Sequence, residues 1–193
     1  MAFKKRRDQI IEKAEPIFAR FGLKKSTMAG IAKELQLQKG ALYYYFKNKE
    51  ELFMAVVEKE SNYLKNSIMK QIEKIEDPKK KLLKFFIARL NYLEKKSEYY
   101  TTLKKEYFEG LSFGGKILEN YFLWEQTTIE NILREGMQKG LFIKDLKKVS
   151  VIRSALVIAL KGMEYQWAVN SNIKNMKKNI GSFLEIFYEG IGV

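Results

Sequence analysis

Apolar residues recur at helical spacing along most of the chain. Ile10, Ala14, Ile17, Phe18 and Phe21 share one face of a helix predicted over 8–21, with Gly22 placed to end it. Pro16 falls inside that helix, where it removes a backbone donor and crowds the Glu12 carbonyl, so a local kink is expected. Two short helices follow, over 27–35 (Ile31 and Leu35 at i, i+4) and 39–46 (Leu42 and Phe46). A long helix begins after Asn48 and carries Leu52, Phe53, Val56, Val57, Tyr63, Leu64, Ile68 and Ile72 until Asp77-Pro78 breaks it. The same periodicity predicts helices over 79–96, 98–109, 116–138, 147–169 and 174–190. Residues 110–115 read as a turn-rich interruption and 140–145 as a connector. No stretch alternates apolar and polar residues over a β-branched run. The expected fold is therefore all-α, with about nine helices.

Residues 27–52 carry the most chemistry. Thr27 is a suitable N-cap, Leu37 can plug the angle between two short helices, and Asn48 with Glu51 forms a capping-box-like pair. With Leu42 and Phe46 turned inward, Gln38, Lys39, Gly40, Ala41, Tyr43 and Tyr44 are left largely outside. This is a helix-turn-helix pattern, which places its second helix in the DNA major groove. At the start of that helix, Gln38 can bond adenine and Lys39 guanine; Ala41 can rest against a thymine methyl, and Gly40 lets the backbone approach.

The run Thr27, Ile31-Ala32, Leu37-Gln38-Lys39-Gly40-Ala41-Leu42-Tyr43-Tyr44-Tyr45-Phe46, Lys49-Glu50 and Leu52 resembles the TetR-type transcriptional regulators. Upstream, the resemblance includes Ile10-Ile11 through Phe18 and Phe21-Gly22; it covers about residues 8–55. It implies a DNA-binding part over 1–47 and a helical effector-binding and dimerisation part over 48–193. It also implies phosphate contacts by Thr27, Tyr43, Tyr44 and Lys49. Gln38 stands where the family often has serine, and Tyr45 where it often has histidine. Those departures bear on base preference rather than on docking.

Charge agrees with this. Residues 1–49 hold 12 Lys/Arg against 4 Asp/Glu, so most of the formal net charge of +13 lies in the first quarter of the chain. That is the footprint of a polyanion binder. Residues 4–7, Lys-Lys-Arg-Arg, read as a flexible arm able to touch phosphate, or simply as a solvated run. With no Cys and no His, thiol nucleophiles, Ser-His-Asp triads, common zinc sites and disulfides are excluded. No apolar segment follows residues 4–7 as in a signal peptide, and none is long enough to span a bilayer. A cytoplasmic protein without cofactor, metal or membrane partner is expected.

The last two predicted helices are apolar over more than one face, which calls for two packing partners. One is the chain's own core. The other is expected to be the same pair from a second copy, with Ile158, Gly162, Phe183 and Phe187 at the interface. The middle of the chain is rich in aromatic residues. The resemblance implies an effector cavity there, so Phe86, Arg89, Tyr92, Tyr107, Phe122, Gln126, Glu164 and Trp167 are its candidate lining. Clustered charge is not expected among them, which favours a small apolar or aromatic effector.

The expectation is a homodimeric regulator that binds a palindromic operator in double-stranded DNA, a repressor released by its effector, and not an enzyme. Two alternatives stay open: a helical protein binding anionic membrane through its basic N-terminal part, and a cofactor-free helical enzyme.

Overall fold

A computed structural model of the chain describes residues 2–97, 111–142, 146–170 and 173–191. Among them are eight helices and no strand: α1 (Ala2–Lys25), α2 (Met28–Glu34), α3 (Lys39–Tyr45), α4 (Lys49–Ile72), α5 (Pro78–Ser97), α6 (Leu111–Gln138), α7 (Leu146–Asn170) and α8 (Ile173–Ile191). The helix expected over 98–109 lies outside the described residues. The expected interruption at 110–115 is corrected from residue 111 onward, because α6 runs through Gly114 and Gly115 without a break. Glycine lowers helix propensity by only about 1 kcal/mol per residue, which the remainder of a 28-residue helix readily offsets.

Two further expectations change at the N-terminus. Residues 4–7 are helical, so they are not a flexible arm. Pro16 does not take the backbone out of helical dihedrals; the break is at Gly22, with φ 73° and ψ 173°. A residue with a Cβ resists that left-handed region, and glycine does not. Gly140 plays the same part after α6. Its φ is 69°, its N–H donates to the Met137 carbonyl at 3.1 Å, and the next N–H, of Leu141, donates to Gly136 at 2.8 Å. This pair of bonds is the Schellman stop.

The chain divides into two compact units. One holds the described residues up to Tyr63 together with the start of α6 as far as Glu119; the other holds Leu64–Lys96 and the described residues from Asn120 onward. The division falls inside α4, later than residue 47, because Leu52, Ala55 and Val56 complete the first core. There they pack with Ile10, Ile11, Ala14, Phe18, Met28, Ile31, Ala32, Leu35, Leu42 and Phe46. The second core gathers Leu64, Ile68, Leu82, Phe85, Phe86, Ile129, Phe142, Leu156 and Leu184, among others, from α4 through α8. Tyr188 stacks on Phe142 at 5.8 Å between ring centroids and donates to the Lys79 carbonyl at 2.9 Å. Burial, then the Asp77 charge, raise its phenol well above the ordinary value, so it stays protonated.

Candidate nucleic-acid interface

The first unit is built to hold a seven-residue helix rigidly with one side bare. Thr27 adopts extended backbone before α2, and its Oγ1 accepts the Gly30 N–H at 3.1 Å. At the other end of α2 Gln36 takes φ 54°, its N–H donates to Lys33 at 3.0 Å, and Leu37 N–H donates to Ala32 at 2.8 Å. This is again the Schellman geometry, here with a residue other than glycine in the left-handed position. Leu37 packs against the core immediately afterwards, which sets the angle into α3.

Gln38 is the N-cap of α3, but its side chain makes no capping bond. Gln38, Lys39, Gly40 and Ala41 are all exposed, while Leu42 and Phe46 are buried beneath them. Lys39 Nζ lies 5.8 Å from the Tyr43 ring centroid, and Tyr44 is 71% exposed. The four residues expected to read bases and the two tyrosines expected at phosphates thus share one short exposed helix. Thr27 is also exposed, although its hydroxyl already serves as the cap.

Lys49 behaves differently from its expectation. Its Nζ donates to the carbonyls of Leu23 at 2.9 Å and Ser26 at 3.1 Å, and lies 3.5 Å from that of Lys24. These carbonyls lie at the C-terminal end of α1 and in the junction to α2, and the ammonium gathers them. Lys49 therefore ties the α1–α2 junction to the start of α4 rather than reaching outward to phosphate. The same start is capped twice: Asn48 Oδ1 accepts the Glu51 N–H at 2.7 Å, and Glu51 Oε2 accepts the Lys47 N–H at 2.8 Å.

In the second unit, three of the eight residues expected around an effector meet. Arg89 on α5 donates from Nε to Glu125 on α6 at 2.8 Å and from Nη2 to Glu164 on α7. Lys161 reaches Glu125 at 2.9 Å and Glu164 at 3.0 Å, and its ammonium stands 4.3 Å from the Phe122 ring centroid. Arg89, Glu125 and Glu164 are at most 2% exposed. Burial pushes the Glu125 carboxyl up, but Arg89 and Lys161 outweigh it and hold the group below its ordinary value. Two cations and two anions thus meet, three of them buried and Lys161 partly exposed. The expected absence of clustered charge is corrected: Arg89 and Glu164 lie 75 residues apart in sequence and are joined only by packing.

Glu125 and Lys161 were missed. Their signal was a charged residue on an otherwise apolar helical stretch, and for Lys161 also the i, i+3 spacing to Glu164. Phe86 is fully buried, and Tyr92 and Phe122 are half-buried against the same core. Gln126 is half-buried. Tyr107 and the Trp167 side chain lie outside what is described. A groove of about 350 Å³ opens between α7 and α8, lined by Met163, Gln166, Asn175, Met176, Asn179, Ile180 and Phe183; none of the eight lines it.

Of the four residues expected at a dimer interface, Ile158 is 70% exposed and Gly162 is exposed with open space around it. Phe183 and Phe187 are half-buried and pack against their own core. Val151, Ile158 and Tyr165 form an exposed stripe along α7, and Ile186 is the matching exposed residue on α8. Among the described residues no group of acidic side chains has the arrangement of a metal site, and no helix is long and apolar enough to cross a membrane.

Residues 10–56, the capped helices just described, match the family profile of bacterial regulatory proteins of the tetR family. Over nearly the whole length the chain is similar to the HTH-type transcriptional regulator QacR of Staphylococcus aureus: 29% identical, over 96% of this chain and 97% of that protein. It is 27% identical to the HTH-type transcriptional repressor KstR2 of Mycolicibacterium smegmatis, over 73% of this chain and 69% of that one. A TetR-family transcriptional regulator from Cytophaga hutchinsonii shares the fold with a TM-score of 0.79 at 20% identity, over 100% and 98% of the two chains. Residues 10–56, with their bare reader helix, thus match the tetR family, and over its length the chain is similar to DNA-binding transcriptional regulators of that family.

Proposed function

We propose that the protein works as a homodimeric repressor that a small apolar or aromatic molecule releases from a palindromic operator. The observation that carries this reading is the exposed row Gln38, Lys39, Gly40 and Ala41 on a helix fixed at both ends by capping and core packing. A reader helix presented in this way has one docking mode, and base edges lie within its reach. Two copies give paired half-sites.

The dimer is supported by the exposed apolar stripe of Val151, Ile158 and Tyr165 on α7 together with Ile186 on α8. A monomer would leave these in water, whereas an isologous contact removes them from it. The effector's class is supported by the aromatic faces of Tyr121, Phe122 and Trp124 around the interior ion cluster. Release requires that the molecule bind the non-DNA state more tightly than the DNA state.

Sites selected from a random duplex library, then footprinted, test the reading. Protection should fall on two inverted half-sites separated by about one helical turn or a multiple of it. Gln38→Ala and Lys39→Ala should each relax the preference at particular positions, by about 1–3 kcal/mol for a bidentate contact. Ile158→Glu should abolish paired protection and give a monomer in light scattering. A protein that selects no sequence, or a parent that is monomeric at micromolar concentration, would defeat the proposal.

A further inference from the structure

The beginning of α1 is packed rather than loose, and the packing is aromatic. The Phe3 ring stacks on Tyr45 at 4.8 Å between centroids, with 30° between planes, and meets Tyr44 edge-on at 5.5 Å. Tyr44 and Tyr45 are themselves edge-to-face at 5.1 Å. One turn further on, the Arg7 guanidinium covers the Phe46 ring at 4.7 Å. Phe3, Arg7, Ile10 and Ala14 fall at i, i+4, i+7 and i+11, one continuous face. The last two are buried in the core beneath α3. So the basic first turns of α1 are an extension of the docking face that holds the reader helix.

This places charge. Lys5, Arg6 and Gln9 lie beside that face and, with Phe3, Tyr44 and Tyr45, line a groove of about 550 Å³. Lys5 and Arg6 are exposed, and Arg6 Nη1 donates to Gln9 Oε1 at 3.2 Å. Tyr44 stands five residues after Lys39, about 8 Å along the axis of α3 at 1.5 Å per residue. The major groove is about 12 Å wide. A helix whose first residues meet base edges therefore has its far end beside a wall of phosphates. The basic groove opens at that end.

We propose that Lys5 and Arg6 form a second phosphate-binding surface on duplex DNA, held in place by the Phe3 clamp on Tyr44 and Tyr45. It rests on the DNA-binding reading and extends the footprint beyond the reader helix. Phe3 is a positioning residue: its half-exposed ring rests on the tyrosine faces and thereby fixes where the two cations stand. The surface carries no sequence information, because phosphates are alike at every step. It adds affinity and salt dependence to every duplex the protein meets.

The test is a salt series on a mixed-sequence duplex of about 30 base pairs, with the full-length parent, Lys5→Ala/Arg6→Ala, Phe3→Ala and Lys13→Ala. Each phosphate neutralised contributes a slope of about 0.9 in log K against log salt. The double variant should lose about 1.8 of the parent's slope; between 50 and 200 mM salt its affinity should fall about twelvefold less than the parent's. Phe3→Ala keeps both cations yet should lose part of the same slope. Lys13→Ala, exposed on α1 but not lining the groove, should keep the parent's slope. An unchanged slope in the double variant, or a Phe3→Ala protein identical to the parent, overturns the proposal. A parent that binds no duplex overturns the DNA-binding reading and this proposal with it; that outcome is distinct from a parent that binds with a slope indifferent to Lys5 and Arg6.

Discussion

The two units solve opposite problems. In the first, thirteen apolar side chains are buried together, and the polar residues that carry the chemistry stay outside on α3. In the second, a few charged residues join the apolar core and a few apolar ones stay outside: Arg89, Glu125 and Glu164 are buried, while Val151, Ile158, Tyr165 and Ile186 face solvent. A rigid reader needs nothing more than a dry core and firm caps. On the function proposed above, the second unit senses a ligand and pairs with a second copy, which suits polar groups within and apolar ones without. The contrast shows that the same folding rules, applied with opposite placement of charge, separate a surface that recognises from a body that responds.

The largest effect expected from this contrast comes from removing one partner of the interior cluster. Arg89→Ala leaves Glu125 and Glu164 with Lys161 as their shared cation among the described residues. Breaking a buried ion pair from one side costs about 3–5 kcal/mol. Denaturant unfolding of the whole protein should show a loss of that size. Replacing Arg89, Glu125 and Glu164 together by apolar residues of similar volume should restore most of it, since a buried charge cluster is weak in net stabilisation. If Arg89→Ala is as stable as the parent, the cluster is not the tie between α5, α6 and α7 described here.

A smaller effect is expected in the first unit, where no charged residue is buried in this way among the described residues. Lys49→Ala frees the carbonyls of Leu23 and Ser26, with a cost of about 1.5–3 kcal/mol for hydrogen bonds to a charged group, less in proportion to their partial exposure. DNA binding should weaken on all sequences while the salt slope stays that of the parent. A phosphate-binding lysine would instead lower the slope by about one unit, so the slope decides between strut and phosphate ligand.

The smallest effect is one of pH. The Glu125 carboxyl is held below its ordinary value in the folded protein, against about 4.3 when unfolded. Its contribution to stability is complete above the unfolded value and is lost as pH falls through the lower folded one. Melting temperature should therefore decline in acid more steeply in the parent than in Glu125→Gln. Parallel curves for the two would show that this group does not couple folding to protons.

Local chemistry was legible wherever the cause was local. Thr27, Asn48 with Glu51, and Gly22 act on their own neighbours within four residues, and each does so as its residue type dictates. The periodic apolar positions placed six of the eight helices closely; α1 began six residues and α6 five residues earlier than expected. The carbonyl contacts of Lys49 were not legible because its partners lie 23 to 26 residues back, at the junction of α1 and α2.

By itself the sequence determined the all-α class, the turn-bounded reader helix, the concentration of positive charge in the first quarter and the exclusion of thiol and imidazole chemistry. These follow from residue type, spacing and count, which need no knowledge of what packs on what. The tertiary structure alone decided that Arg89 and Glu164 meet, that Lys49 turns inward, and that residues 4–7 are held by Phe3 against α3 instead of trailing as an arm. It also turned Ile158 and Ile186 outward while drawing Phe183 and Phe187 halfway into their own core. Each of these depends on contacts between segments far apart in the chain, where desolvation and pairing, rather than local propensity, set the position of a side chain.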